Sequence, residues 1–293
     1  MPNEGRFKIG SNFLKIGSDY LRIGSVSNVP LLLGNFYADA DSFSLCSNDA
    51  ALTSNVALAD FLNYVSYGPA GAGFVVFLLG GAIRVYNSAG TLTAAFDMDD
   101  GGFPLAGAPY GSASSTHVYV TAVGDDIKRY LPDGTFVNDR SANGPLILGV
   151  IDEDSIWAMD DGGGGTTTFT KYTALVSISD FVIDFDDLAC SQPGDADLSG
   201  GYIYGLCTRN DAAGWRVVKV DLAGESGATL VAGSDTSYIG LAVGGGRLYL
   251  QFAGASPGAG FVEIRNLSDG SLISTVMQSG GTDTTFGIAR QKV

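Results

Sequence analysis

His117 is the only histidine in this chain of 293 residues, so every histidine-dependent mechanism would depend on this one side chain. A Ser-His-Asp relay, a Cys-His pair and a metal site with several histidines all need it. His117 directly precedes Val118, Tyr119 and Val120, a run typical of a strand. We therefore expect it at an exposed strand end, and we expect no catalytic residues and no enzyme activity.

Acidic side chains offer a second kind of chemistry, because two carboxylates can act as the acid and base of a glycosidase. The clusters lie in predicted loops of a chain that is rich in aspartate throughout, which favours solvated loop charge. A glycosidase or lyase is kept as the second alternative function. The clusters are 97–100, 152–154, 160–161 and 184–187.

One acidic segment matches the first half of a calcium loop. Asp195, Asp197 and Ser199 place oxygen ligands at alternate positions, and Gly200 stands where such a loop turns sharply. The twelfth position carries Leu206 instead of the bidentate glutamate. We retain these three residues as a calcium candidate and otherwise expect no metal and no cofactor.

The three cysteines are Cys46, Cys190 and Cys207, a spacing that matches neither a disulfide framework nor a zinc knuckle. They are interpreted as small buried apolar residues, with one disulfide between Cys190 and Cys207 as the alternative. The glycine run 162–165 lacks the lysine of a phosphate loop and predicts a hairpin tip.

The formal charge of −15 and the sequence pI near 4.2 exclude a broad phosphate-binding surface, so nucleic acid is not an expected partner. No apolar run is long enough to span a bilayer, and the first residues lack the apolar core of a secretory signal. These features predict a soluble protein that is made in the cytoplasm, without membrane insertion and without Sec export.

A short repeat occupies residues 1–27, where an Ile-Gly-Ser element recurs every seven residues. Glycine and serine in each copy disfavour a helix and predict a short strand followed by a turn. The segment carries a net charge of +2, which leaves −17 for residues 28–293. We interpret it as an anchoring arm that docks on a partner; a meander packed on its own domain is the alternative. The candidate docking residues are Phe7, Ile9, Phe13, Lys15, Ile16, Tyr20, Arg22 and Ile23.

A longer repeat runs through residues 28–293, with strand-like apolar clusters every 40 to 47 residues. Two copies align without gaps at an offset of 44, so that 83–86 matches 127–130 and the turn at Gly90 matches the turn at Gly134. A repeat of this length with three or four short strands is typical of a β-propeller blade. The fold class predicted is therefore all-β, a propeller with six blades favoured over five or seven.

The chain ends indicate how the ring closes. Residues 286–289 resemble one more innermost strand with nothing after it, so its outer strands should come from the start of the body. The segments 31–34, 36–38 and 42–45 can supply them. We therefore expect one blade completed by both ends of the chain.

The body resembles β-propellers of the NHL or YVTN-like kind, and the arm resembles the reiterated Leu-Lys-Ile-Gly-Ser openings of virion proteins in tailed bacteriophages. The resemblance implies a structural or adhesion component of a virion: a tail-tip, fibre or decoration protein. Its partners would be other virion proteins and copies of itself, and its outward face would bind a host-surface glycan or protein.

A bacterial propeller that binds a carbohydrate or a protein is the first alternative. Exposed aromatic rings in loops would favour it, because such rings stack on sugars. Four tyrosines fall in predicted loops: Tyr64, Tyr67, Tyr110 and Tyr238.

Overall fold

In the residues that it describes, the computed structural model of the chain consists almost entirely of β-strands, with a single 3₁₀ turn, Asp186–Leu188. It describes residues 13–16, 19–22, 32–34, 42–46, 49, 52–57, 62–67, 73–78, 81–87, 90–98, 111–121, 126–142, 146–151, 154–163, 165–191, 193–235, 237–252, 260–277 and 288–290. Short runs of β-branched and aromatic residues separated by glycine favour this class. No helix in these described ranges has the length and hydropathy needed to cross a lipid bilayer.

Five antiparallel sheets each consist of four strands that are consecutive in sequence. The first is β6 (Leu62–Tyr67), β7 (Phe74–Leu78), β8 (Ala82–Tyr86) and β9 (Leu92–Asp97). The second is β10 (Gly111–Ala113), β11 (Val118–Thr121), β12 (Asp126–Tyr130) and β13 (Phe136–Ser141). The third is β14 (Leu146–Val150), β15 (Ser155–Gly163), β16 (Thr166–Thr173) and β17 (Val176–Asp184). The fourth is β18 (Asp195–Ser199), β19 (Tyr202–Thr208), β20 (Trp215–Asp221) and β21 (Ser226–Gly233). The fifth is β22 (Tyr238–Gly244), β23 (Arg247–Phe252), β24 (Phe261–Asn266) and β25 (Leu272–Met277).

A further four-stranded sheet combines the two ends of the body. Its order is β26 (Ile288–Arg290), β3 (Leu32–Gly34), β4 (Ser42–Cys46) and β5 (Leu52–Ala57), with Ile288 opposite Gly34. The predicted pairing of both chain ends is confirmed. The outermost strand is β5, which the sequence analysis did not propose, and the proposed strand at 36–38 lies outside the described residues.

The first strands of the sheets contact one another in a closed cycle, β6, β10, β14, β18, β22, β26 and back to β6. The prediction of an all-β propeller is therefore confirmed. Where the sequence analysis favoured six blades, the structure has five blades of consecutive strands, and the composite sheet occupies the remaining place in the cycle.

The up-and-down order of the strands gives the propeller two different faces. The turns between the first and second strands lie on one face, which we name the hairpin face. The connections from one blade to the next lie on the other, the crossover face. In the composite sheet the first strand, β26, and the second strand, β3, are not consecutive in sequence, so no hairpin joins them. The end of β26 and the start of β3 therefore both lie on the hairpin face.

Glycine turns join the third and fourth strands in the aligned repeats. Gly90 and Gly134 have φ of 79° and 91°, and each donates its N–H to the residue three positions earlier, at 2.9 and 3.0 Å. Gly270 has φ of 72° and donates to Asn266 at 2.9 Å. Glycine adopts this left-handed conformation without steric cost, which explains why the turn is visible in the sequence. In the third blade the turn is Ala174–Leu175, both at positive φ.

The core lies between the blades. The second strands are its most buried part: the side chains of β7 and β11 are buried along their full length. Fourth strands show the opposite pattern, and most residues of β9, β13 and β25 are exposed. Burial therefore decreases from the second strand outward, and the rim of the propeller is formed by sheet edges.

Candidate functional site

The arm contains a β-hairpin that is built from two successive copies of the heptad repeat. β1 (Phe13–Ile16) and β2 (Asp19–Arg22) pair antiparallel, with Phe13 opposite Arg22 and Lys15 opposite Tyr20. They form a two-stranded sheet of their own and join none of the body sheets. A hairpin of two strands is marginally stable by itself, so it needs a partner surface. Of the candidate docking residues, Phe7, Ile9 and Ile23 lie outside the described residues.

The rim carries large apolar side chains that are exposed on the fourth strands of the blades. They are Leu92, Phe136, Val137, Val176, Ile178, Val182, Leu272, Ile273 and Met277. A fourth strand is also a sheet edge whose outer N–H and C=O groups face away from the blade. Natural proteins protect such edges with lysine, proline or short strand length, because an open edge can pair with another chain.

β17 is the longest of these edges, with nine residues. Val176, Ile178 and Val182 are 59%, 59% and 58% exposed, and Asp180 and Asp184 are exposed between and beside them. The strand contains neither lysine nor proline. Its edge therefore lacks two of the usual protections.

The inner side of β17 is held firmly by the core. Phe181 and Ile183 are buried, and the Phe181 ring stacks on Phe169 of β16 with centroids 5.3 Å apart. The sequence analysis missed this edge, because it assigned residues 184–187 to a loop and did not interpret 176–183. A run of nine residues with five β-branched or aromatic side chains and no glycine or proline was the available signal.

β25 is the other strongly apolar edge. Leu272, Ile273 and Met277 are 52%, 45% and 59% exposed, and the strand Leu272–Met277 contains no charged residue. It offers apolar contact without charge complementarity.

The calcium interpretation of residues 195–199 is wrong in its geometry, because the segment is strand β18 instead of a loop. Asp195 accepts a hydrogen bond from the Leu241 N–H at 2.6 Å, and Asp197 accepts one from the Val243 N–H at 2.8 Å. Innermost strands leave alternate N–H groups without a neighbouring strand, and these carboxylates satisfy two of them across the blade interface.

The other positions of the predicted calcium loop also lie in strands. Ser199 ends β18, and Leu206 of β19 pairs opposite Asp195. Among the described residues, no group of three acidic, cysteine or histidine side chains could hold a metal ion.

The tyrosines proposed as ligand-facing loop residues are placed differently. Tyr64 and Tyr67 belong to strand β6, opposite Phe77 and Phe74 of β7, and Tyr110 lies outside the described residues. Tyr238 starts β22 and shares a hydrogen bond of 2.5 Å with the Thr208 hydroxyl of the preceding blade. The loop assignment is wrong for Tyr64, Tyr67 and Tyr238, because all three lie within strands.

His117 is not the exposed strand end that its sequence position predicts. Its side chain is 15% exposed, and its Nδ1 lies 3.2 Å from an Asp154 carboxylate oxygen and 3.0 Å from the Thr116 hydroxyl. Arg129 contacts the same oxygen of Asp154 at 3.4 Å. In a Ser-His-Asp relay the hydroxyl and the carboxylate contact opposite ring nitrogens. Here both contact Nδ1, and the contacts of Asp154 with His117 and Arg129 tie the second blade to the third.

Asp160 is a carboxyl in an unfavourable environment within β15. Its Oδ1 is buried with no hydrogen-bond partner among the described residues, and burial raises the pKa of Asp160 to about 6. Desolvation disfavours the charged form of a carboxyl, and this accounts for the direction of the shift.

The three cysteines are free and buried, as the sequence predicts. The thiols of Cys190 and Cys207 hydrogen-bond to one another; this contact lowers the pKa of Cys190 and raises that of Cys207. Cys207 also donates to the Arg216 carbonyl at 3.3 Å. Cys46 lies in a separate cluster, where burial raises its pKa to about 12.

Comparison with known proteins supports the fold. No protein-family model and no curated protein matches the sequence. A chain in the crystal structure of a nidogen/laminin complex has a TM-score of 0.60 and 12% identity, over 88% of this chain and 97% of that one. Hydrazine synthase of Kuenenia stuttgartiensis has a TM-score of 0.55 and 15% identity, over 91% of both chains. BamB of Moraxella catarrhalis has a TM-score of 0.43 and 12% identity, over 92% of this chain and 80% of that one. The likenesses to the nidogen/laminin chain and to hydrazine synthase are the ones that support the fold, and they concern the fold alone.

Proposed function

We propose that this chain is a structural, non-catalytic propeller of a bacteriophage particle, anchored by its N-terminal arm and presenting its body outward. One observation carries the proposal: among the strands that the structure describes, β1 and β2 pair with each other and with no body strand, although the body offers several open sheet edges. A hairpin of this kind becomes stable when a partner adds strands or an apolar surface to it.

Charge supports a role in protein contacts. The arm carries +2 and the body −17, so the arm is attracted to acidic protein surfaces, including the net negative charge of a second body. The exposed apolar residues of β17 and β25 add contact area at the rim. A chain of similar fold occurs in the nidogen/laminin complex, which agrees with propellers serving as binding modules.

The chemistry of the described side chains supports a protein without turnover or cofactor. His117 is engaged through Nδ1 by Asp154 and Thr116, and the carboxylates of Asp195 and Asp197 bind backbone N–H groups of the next blade. These contacts hold neighbouring blades together.

The virion assignment rests on the resemblance of the Ile-Gly-Ser repeat to the openings of tailed-phage virion proteins. It implies other virion proteins and further copies of this chain as partners. It also implies a location in the particle, and a host-surface glycan or protein as the target of the body.

Removal of residues 1–27 tests the proposal. We expect the truncated chain to give the same circular dichroism spectrum and melting temperature as the full chain, but to be absent from purified particles by mass spectrometry. Ile16→Asp should act like the truncation, and Ile16→Val should behave like the unmodified chain. Incorporation of the truncated chain at the normal level would overturn the proposal, as would a body that melts when the arm is removed.

A further inference from the structure

We propose that the outer edge of β17 is the acceptor for the arm of a second copy of this chain, whose hairpin adds strands to the third blade. This inference rests on the proposed function, because it assumes that the arm docks by strand addition. It names both the docking surface, which is the outer edge of β17, and the partner, which is the arm of a second copy.

The acceptor edge has the properties that strand addition requires. β17 presents nine residues, more than twice the length of an arm strand, and β16 covers only its inner side. Its first five residues are all exposed, and the buried rings of Phe181 and Phe169 keep the strand in place. An incoming strand would therefore meet a preformed row of backbone donors and acceptors, which is interrupted at Ile178, where β17 bulges against β16.

Charge selects the arm as the occupant. Asp180 and Asp184 are exposed on β17, and Asp186 and Asp187 follow directly in the 3₁₀ turn. β1 carries one cation, Lys15, and no anion, whereas β2 carries Arg22 together with Asp19. The charge match with β17 therefore comes mainly from β1. Opposite charges on adjacent strands stabilise their pairing, and like charges oppose it.

Apolar contacts complete the match. Val176, Ile178 and Val182 leave more than half of their surface in solvent. The arm strands bring Phe13, Leu14, Ile16, Tyr20 and Leu21. Burial of exposed aliphatic surface contributes most of the favourable free energy in such contacts.

The order of blades around the ring favours a second copy over the chain's own arm. The arm leads into β3 of the composite sheet, and the cycle of first strands places the third blade three positions away in either direction. The third blade is thus diametrically opposite the arm's point of attachment. An arm that reaches the third blade of a neighbour makes a heterologous contact, which builds a closed ring or an open filament.

The test compares two edges in the full-length chain. Ile178→Lys with Val182→Lys places charge on β17, and Ile273→Lys with Met277→Lys places the same charge on the comparably exposed edge β25. Sedimentation velocity across a concentration series should show the β17 variant dissociating at a concentration at least tenfold higher than the unmodified chain. The β25 variant should assemble like the unmodified chain, and all variants should keep the same melting temperature within a few degrees.

Charge reversal gives an independent test. Lys15→Glu with Arg22→Glu should abolish assembly, and Asp180→Lys with Asp184→Lys in the same chain should restore it. High salt should weaken assembly of the unmodified chain, because exposed charge pairs are screened.

The outcomes separate the two proposals. If truncation of residues 1–27 abolishes assembly but the β17 variant assembles normally, the acceptor lies elsewhere; this inference is overturned and the anchoring function stands. If the unmodified chain stays monomeric and still enters particles through its arm, the partner is another protein, and this inference is again wrong. If the truncated chain assembles normally, the proposed function itself fails.

Discussion

Asp197 of β18 accepts a hydrogen bond of 2.8 Å from the main-chain N–H of Val243, which lies 46 residues later in the first strand of the next blade. Asp195 repeats the arrangement with Leu241. β18 and β22 belong to different blades and do not pair as strands. The two carboxylates of β18 instead accept hydrogen bonds from the main chain of β22 and so link the two blades.

We expect Asp197→Ala to lower the free energy of unfolding by about 1–3 kcal/mol, since it leaves a partly buried N–H without its acceptor. Urea denaturation followed by circular dichroism measures this loss. Asp187→Ala, at an exposed position of the 3₁₀ turn, is the matched control and should change stability by less than about 0.5 kcal/mol. Equal stability of the Asp197 and Asp187 variants would show that the interblade hydrogen bond contributes little.

Closure of the ring by β26 predicts a long-range effect of a small deletion. Removal of residues 286–293 takes away the strand that pairs with β3, and with it Ile288, which is 1% exposed in the core. The whole body should lose its cooperative thermal transition and aggregate, because each blade relies on its neighbours for burial. Removal of residues 291–293 alone should leave the transition in place. A truncated body that still melts cooperatively near the normal temperature contradicts closure by both ends.

Gly90 and Gly134 occupy equivalent turns but have different surroundings. Substitution of each by alanine therefore separates the cost of backbone strain from the cost of a steric clash. An added Cβ at Gly90 meets nothing within 4 Å, whereas at Gly134 it would lie 2.6 Å from the Phe96 Cβ of the preceding blade. Gly90→Ala should therefore cost only the backbone strain of positive φ, about 1–2 kcal/mol. Gly134→Ala should cost at least about 1 kcal/mol more, because Phe96 must move. Chemical denaturation of the two variants in parallel provides the comparison; a larger loss at Gly90 would contradict it.

Asp160 predicts a pH-dependent contribution to stability. Its pKa is about 6 in the folded protein, above the ordinary value of 3.8. The folded state therefore holds the proton more tightly, and stability falls as the pH rises from 3.8 through 6. Asp160→Asn removes the buried charge, so it should raise the melting temperature at pH 7.5 and lose this advantage by pH 4. The exposed Asp139→Asn serves as the control. A stabilisation by Asp160→Asn that is equal at both pH values would contradict the role of the charge.

The repeat pattern predicted much of the fold because the same local features, a glycine turn and a buried second strand, recur in several blades. The glycine turns at Gly90 and Gly134 require positive φ, and the second strands are nearly all apolar, so both features appear in the sequence. The pairing of the two chain ends was predictable because residues 286–289 have no outer strands of their own.

The site was less predictable because its features depend on which strand lies beside which. Asp195 and Asp197 alternate as in a calcium loop, yet alternate positions of a strand also share one face, and only the neighbouring blade shows which N–H groups they meet. Similarly, nothing local distinguishes the exposed Val182 from the buried Ile183 beside it; their positions on β17 decide this.

The pairing of Ile288 with Gly34 also constrains the order of events during protein synthesis. About 250 residues separate the two positions, and at roughly 5–20 residues per second the ribosome needs about 13–50 s to produce the second after the first. During that interval β3 has been made but its inner partner has not. The composite sheet cannot close before Ile288 has been made, and a neighbouring nascent chain that supplies its own β26 first would give a domain-swapped pair.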